Sequence, residues 1–471
     1  ARRFGFTDSE LARRKASMLA GTEKRYAERS KISNDDYVND YVSHFLNNTS
    51  AMSPEMEYEL SKEMLSRVTL EEVNAVLPVL YTKNNRVAVS LAPVNDTITY
   101  PAKEQIEMLL AAIEAAPLTP YVDNTIDAPL LDKLPEGGKV VATEEGVWGS
   151  TVWTLSNDIK VIVKPTDYKA DEITMTGISY GGTSRYPDSD RVNLSMLGAV
   201  VSIGGAGSFD VMQLSKKLAG STASAGVSAS AFHDRISGSC SPKDLEEMFQ
   251  LMYLKYTAPR KDTAALASFI TRQKGALRNR NIDPNTALGD SINKALYNDH
   301  PRMRPILEAD IDSINYDRIM EIYKDRTSDA SDFTFVFVGN IDMEVLKPLV
   351  EKYIGGLPAK GRKEELYDHK ITTRKGVYRN NFERKMETPT GTEVIFYSGD
   401  IEANQRNAIL MSFVQQIMDI VYITEVREKE GGTYGVGIQG SIDQLPRGKF
   451  NLSIQFNMSP ERREELTAIV I

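Results

Sequence analysis

Two patterns recur along these 471 residues, and they dictate the kind of fold the chain can adopt. Residues 70–91 read as a helix, a short turn, an apolar strand over 86–91 and a Pro-Val-Asn-Asp turn. Residues 315–338 read the same way and close on Gly-Asn-Ile-Asp. The second pattern, a strand followed by Ser-Pro and an acidic helix, occurs at 236–245 and again at 454–466. Similarity at such spacing marks whole supersecondary units rather than chance local patterns. The chain therefore reads as the tail of one α+β unit, one complete unit and the head of a third. Strands come in runs and helices in runs, which predicts antiparallel-rich sheets with helices packed on one face instead of a parallel α/β sheet.

The boundaries follow composition. Residues 1–96 are mostly helical: Thr7-x-x-Glu10 and Thr69-x-x-Glu72 are capping boxes, and Tyr37, Val38, Tyr41, Val42, Phe45 and Leu46 make one apolar helix face. Prolines at 93, 101, 117, 120, 129 and 135 mark 97–148 as a linker holding one helix over 102–115. Residues 149–358 form the complete unit, 359–375 a second linker, and 376–471 the start of the next unit. The first residue is Ala1 and a helix pattern is running by Thr7, so the chain is expected to begin inside a longer protein, and likewise to stop inside a helix at Ile471.

Charge and composition remove several function classes. Lys and Arg total 56 against 65 Asp and Glu, a net charge of −9, which disfavours a nucleic-acid partner. No apolar run approaches the roughly 18–20 residues of a membrane span, so no membrane span is expected. Cys240 is the only cysteine, which excludes an internal disulfide and a thiolate metal site, and is expected to be buried. The four histidines, His44, His233, His300 and His369, include no pair at local ligand spacing.

The strongest local signal is Arg427-Glu-Lys-Glu-Gly431-Gly432-Thr-Tyr434-Gly-Val-Gly. It follows a long apolar helix over 404–426 and precedes a strand. Arg427 falls in the last turns of that helix, Gly431 and Gly432 allow a tight exit with close backbone approach, and Tyr434 opens the strand. A guanidinium and a phenol brought to one point suit a developing oxyanion. The same residues also read as a solvated helix end with an ordinary glycine cap, and the spacing leaves both open.

The order helix, Arg-Glu-x-x-Gly-Gly-x-Tyr, strand resembles the C-terminal half of the pitrilysin/insulinase zinc peptidases. Phe335-Val-Phe-Val-Gly-Asn-Ile-Asp, followed by Leu346, Leu349-Val-Glu-Lys-Tyr and Gly-Gly-Leu-Pro-Ala359, resembles the closure of a unit in that family, and Thr69-Leu-Glu-Glu-Val with Arg86-Val-Ala-Val resembles the end of the preceding one. The resemblance implies LuxS/metalloenzyme-like (mitochondrial-processing-peptidase-like) units, four to a protein, arranged as two halves around a chamber. It implies that Arg427 and Tyr434 are catalytic, stabilising the tetrahedral intermediate, and that they bind a peptide substrate together with Gly431 and Gly432. It also implies zinc, held by H-x-x-E-H on a helix of the first unit. The equivalent helix here reads Met196-Leu-Gly-Ala199-Val200, so zinc is expected in a missing N-terminal catalytic half or in a partner subunit, and this chain alone is expected to be inactive. Many bacterial relatives are exported, which points to the periplasm. The same fold also serves as a non-catalytic scaffold or processing-partner subunit, and that alternative stays open, as does a peptide-binding module without turnover.

Other candidates carry less. His233 sits in a strand and reads as structural. Gly204-Gly-Ala-Gly207 and Gly432–Gly437 match neither phosphate-loop nor dinucleotide patterns, and the former reads as a helix-end turn. The Met and aromatic residues from Met411 to Tyr422 recur at helical spacing and read as core.

Overall fold

The computed structural model describes residues 2–82, 87–89, 91, 99–280, 283–384, 386, 388–431, 433 and 435–471. Four helices open the chain: α1 (Asp8–Ala27), α2 (Asn34–Asn47), α3 (Pro54–Arg67) and α4 (Leu70–Leu80). The expected capping boxes at Thr7/Glu10 and Thr69/Glu72 are both formed. The apolar stripe of α2 is present but open to solvent, with Phe45 86% exposed. Arg86 and Ser90 of the expected strand lie outside the described residues, as does the Pro-Val-Asn-Asp turn, and residues 87–89 and 91 carry no strand.

The proline-rich stretch contains α5 (Lys103–Ala115) and then a strap that buries Leu130 and Leu131 in the main core. It ends in a strand missing from the sequence reading, β1 (Val140–Glu145), which pairs antiparallel with β2 (Thr151–Leu155). β3 (Lys160–Pro165), β4 (Ile173–Tyr180), α6 (Arg191–Gly204), α7 (Val211–Lys217), β5 (Ser224–Ala229), β6 (His233–Cys240), α8 (Leu245–Thr257), α9 (Thr263–Asn279), α10 (Pro284–Leu296), α11 (Tyr316–Arg326), β7 (Thr334–Gly339) and α12 (Met343–Leu349) follow.

The strands make one seven-stranded sheet in the order β1-β2-β3-β7-β4-β6-β5. Every neighbour is antiparallel except β3 and β7, which run parallel from Lys160↔Thr334 to Pro165↔Gly339. The pleat sorts the two faces. Ile173 and Met175 of β4 and Phe335 and Phe337 of β7 are buried beneath Phe249 and Met252 of α8 and Tyr353 after α12, while Thr174, Ile178 and Tyr180 face outward. A second cluster seats Leu197, Val200 and Val201 of α6 against Phe269 of α9 and Ile319, Met320 and Tyr323 of α11.

The last part forms its own three-stranded antiparallel sheet, β8 (Gly391–Asp400), then β10 (Lys449–Met458), then β9 (Val436–Asp443). α13 (Gln405–Tyr422) lies against β9, and α14 (Arg463–Val470) closes the described chain. Its core is small: Val426, Ile438, Ile454, Phe456, Leu466 and Val470. The expectation that residues 411–422 are core needs correction. Met418 and Tyr422 reach that cluster, but Phe413 and Ile417 are 56% and 61% exposed. With its following turn this helix spans Gln405–Lys429, 25 residues with a mean hydropathy of 1.3 in its most apolar stretch. By length and composition alone it could cross a membrane, which corrects the expectation that no segment is long and apolar enough to do so.

The segments between these bodies are tied down. Asp123 accepts hydrogen bonds from Lys216 Nζ at 2.7 Å, from Ser9 Oγ and from Tyr121 OH at 3.2 Å, and pairs with Arg13 at 2.7 Å; these donors hold its carboxyl well below the usual range. Glu28 at the end of α1 accepts from the backbone N–H groups of Ala170 (3.1 Å) and Asp171 (2.7 Å). After α12, residues 358–369 lie along the acidic loop that follows α11: the N–H of Gly361 reaches Ser331 Oγ, that of Arg362 reaches Asp329, and that of Glu364 reaches Asp332.

Candidate functional site

The candidate site is built at the end of α13. Asn404 caps that helix by accepting from the Asn407 N–H at 2.9 Å. Beyond Tyr422 the chain widens into a π-helical turn, Ile423–Lys429. Such turns occur mostly as local insertions and are frequent at functional sites. Val426, fully buried, anchors the turn in the small core, and Tyr422 OH donates to the Val470 carbonyl at 2.8 Å. The residue after that anchor is Arg427. It is exposed, and among the described residues its guanidinium makes no hydrogen bond or ion pair. The neighbouring charges are engaged: Lys429 pairs with Glu425 at 2.7 Å, and Glu430 with Arg462. In the charged run Arg427 is therefore the one cation, and Glu428 the one anion, without a partner among the described residues.

The exit is made by Gly431. Its N–H bonds to the Arg427 carbonyl at 3.1 Å, and its φ of +57° is a conformation that favours glycine. No atom would crowd a Cβ there, so the backbone angle alone selects the residue. Thr433 and Gly435 close a small turn, with the Gly435 N–H reaching Thr433 Oγ1 at 3.3 Å, and β9 begins at Val436. Arg427 and Gly431 therefore share one turn. Gly432 and Tyr434 lie outside the described residues.

The unit before it contains a counterpart turn. α7 ends, Gly220 takes a φ of +89°, and β5 follows as the outer strand beside β6, just as Gly431 leads to β9 beside β10. There the cation near the helix end, Lys216, is consumed by Asp123 and Tyr121. Sequence reading missed one participant, Arg462. Its Nη1 donates to the Glu430 carbonyl at 2.9 Å, a contact across 32 residues that no local pattern announces.

Zinc does not fit this chain. On α6 the positions expected to match a metal helix are Met196, exposed Ala199 and fully buried Val200, none of which is a donor. Among the described residues no group of three or more His, Cys, Asp or Glu side chains could hold a metal ion. His233 sets its ring at a tilt 5.3 Å from that of Tyr180, and His369 bonds to the Ser184 carbonyl at 2.8 Å, so both are structural. Cys240 is buried, and burial pushes its thiol up to about 12, which leaves it unreactive. Gly204-Gly-Ala-Gly207 is the end of α6, with Gly205 as its cap.

Residues 313–471 match the family described as the peptidase M16 inactive domain. That match covers the C-terminal third of the chain. The resemblance to pitrilysin/insulinase zinc peptidases read from the sequence is borne out. A protein of Arabidopsis thaliana named zinc protease PQQL-like is 26% identical over 75% of this chain and 35% of its own length. The probable zinc protease PqqL of Escherichia coli is 22% identical over 99% of the chain and 50% of its own. The chain thus spans between about a third and a half of the curated relatives it matches. Among solved structures, the E. coli periplasmic protease PqqL superposes with a TM-score of 0.63 at 20% identity, covering 100% of this chain and 52% of that one. The ferredoxin protease FusC, in complex with Arabidopsis ferredoxin, superposes at 0.65 and 17% identity, covering 99% of this chain and 52% of its own. These structures share the α+β fold.

Proposed function

We propose that this M16 portion serves a zinc-dependent metalloendopeptidase that hydrolyses peptides or small unfolded proteins. In this reading residues 1–96 complete a second unit, 97–148 and 359–375 are linkers, 149–358 are a third unit free of metal, and 376–471 begin a fourth. The metal belongs to a separate N-terminal half or partner subunit. This chain supplies the opposite wall: Arg427 presents its guanidinium to the substrate carbonyl, Tyr434 adds a phenol, and the glycines at 431 and 432 let the peptide backbone approach. The observation that carries the reading is Arg427 itself, an exposed cation without a partner among the described residues, on a π-helical turn where Lys429 and Glu430 are paired and Val426 is buried. A free guanidinium can stabilise charge that develops during reaction; a paired one is already spent on its partner. FusC is named a ferredoxin protease, which agrees with a small-protein substrate, and the E. coli relative is described as periplasmic, which supports that compartment.

The test uses the assembled enzyme. Arg427→Ala and Tyr434→Phe are each expected to lower kcat by about 10²-fold or more at unchanged zinc content. Wild-type rates in both variants would overturn the reading and favour the scaffold role.

A further inference from the structure

We propose that Arg462 is a positioning residue for this reaction: it clamps the turn that presents Arg427. The inference rests on the reading above. Arg462 lies in the short helical turn Pro460–Arg462 that leads into α14, an element fastened to the core through Leu466 and Val470. Glu465 grips its guanidinium in a fork, Nε to Oε2 at 3.0 Å and Nη2 to Oε1 at 2.5 Å. Two parallel bonds fix the guanidinium plane. Nη1 is thereby aimed at the Glu430 carbonyl, 2.9 Å away, and Nη2 also lies 3.4 Å from the Glu430 carboxylate. Glu430 is the residue between the π-helical turn and Gly431. Among the described residues the other bonds at that point are local, the N–H groups of Glu430 and Gly431 on the Arg427 carbonyl; residues 427–431 are exposed, and no atom lies near the Cβ position of Gly431.

The preceding unit makes an independent case. Its Ser241-Pro242 turn occupies the place of Ser459-Pro460, and the last residue of that turn, Asp244, accepts from the N–H (2.8 Å) and hydroxyl (2.6 Å) of Thr222, two residues past Gly220. Both units thus clamp the glycine exit from the same element, one with a carboxylate and one with a guanidinium. In the earlier unit Lys216 of the helix end is paired with Asp123, whereas Arg427 has no partner among the described residues.

Two measurements test this. In this chain by itself, Arg462→Ala is expected to raise amide hydrogen exchange over 427–433 about fivefold or more while β9 and β10 keep their protection. In the assembled enzyme, R462A is expected to lower kcat about tenfold with KM within about twofold, and Glu465→Gln to lower it less. The double variant R427A/R462A is expected to be no slower than R427A. Should R462A melt early, E465Q carries the test, because it loosens the fork without shortening Arg462. Wild-type exchange and kcat in R462A alongside a slow R427A overturn the clamp and leave the peptidase reading standing. A full R462A loss on top of R427A also overturns it, as a general structural defect. A wild-type rate in R427A overturns the reading itself.

Discussion

Asp234 and Asp329 show how differently one protein can treat two carboxylates. Asp234 lies on β6 against Arg326, 3.0 Å away, and Arg326 also binds Glu364 of the segment after α12. Burial pushes the Asp234 carboxyl up to about 6, with Arg326 opposing and Glu364 adding to the rise. Burial would raise Asp329 as well. It is outweighed by the hydroxyl and N–H of Ser331 and the backbone N–H of Lys360 and Arg362, which bring Asp329 down to about 2. The linkage follows from those directions. Asp329 is depressed below its ordinary 3.8, so its contribution is complete above that value and fades as pH falls toward 2. Asp234 runs the other way: the folded chain holds its proton more tightly than the unfolded chain, so this group weakens the fold as pH rises through 6. Asp329→Asn is expected to cost roughly 2 kcal/mol in urea unfolding at pH 7, with the gap to wild type closing near pH 2. An equal gap at both pH values would show that the carboxylate charge is not what secures residues 360–362.

At the scale of elements, legibility tracked burial. β4 and β7 were readable because their alternation is enforced by a packed face, and α1 and α4 because their caps are local bonds. β1 escaped because it is an edge strand with one neighbour and mostly exposed side chains, so little in Val140–Glu145 records its pairing. The π-helical turn escaped because a change of hydrogen-bond spacing leaves no mark in composition. α13 misled for a different reason. Its apolar spacing matches that of α6, whose stripe is covered by α9 and α11, but Ile409, Phe413, Ile417 and Ile420 of α13 meet no such cover among the described residues. The opposite side is engaged: Gln415 accepts from the Gly440 N–H at 3.2 Å, and Met418 joins the small core. A contiguous apolar stripe in water drives association. Phe413→Gln with Ile417→Gln is therefore expected to cut binding of a hydrophobic dye by about half and to raise the monomer fraction, without moving the unfolding of the seven-stranded body. Unchanged dye binding would mean that the stripe is covered in solution.

At the scale of the molecule, the contacts that lock the architecture come from positions far apart in sequence. Asp123 joins Ser9, Arg13 and Lys216, and Arg326 joins Asp234 and Glu364, so what reads as linker from composition is pinned on either side of the seven-stranded body. In the proposed reading such a body holds one wall of a site; α6 offers no metal donors, and Arg427, the cation without a partner among the described residues of the turn, would stabilise charge without activating water. The purified chain is accordingly expected to leave a quenched peptide intact at any zinc concentration. Adding the zinc-bearing half as a separate polypeptide is expected to start cleavage that a chelator stops, and Arg427→Ala in this chain to suppress it. Chelator-sensitive turnover by the chain alone would require a metal site that its described side chains do not offer. A mixture that binds peptide without cutting it would assign the chain to recognition and leave the chemistry elsewhere.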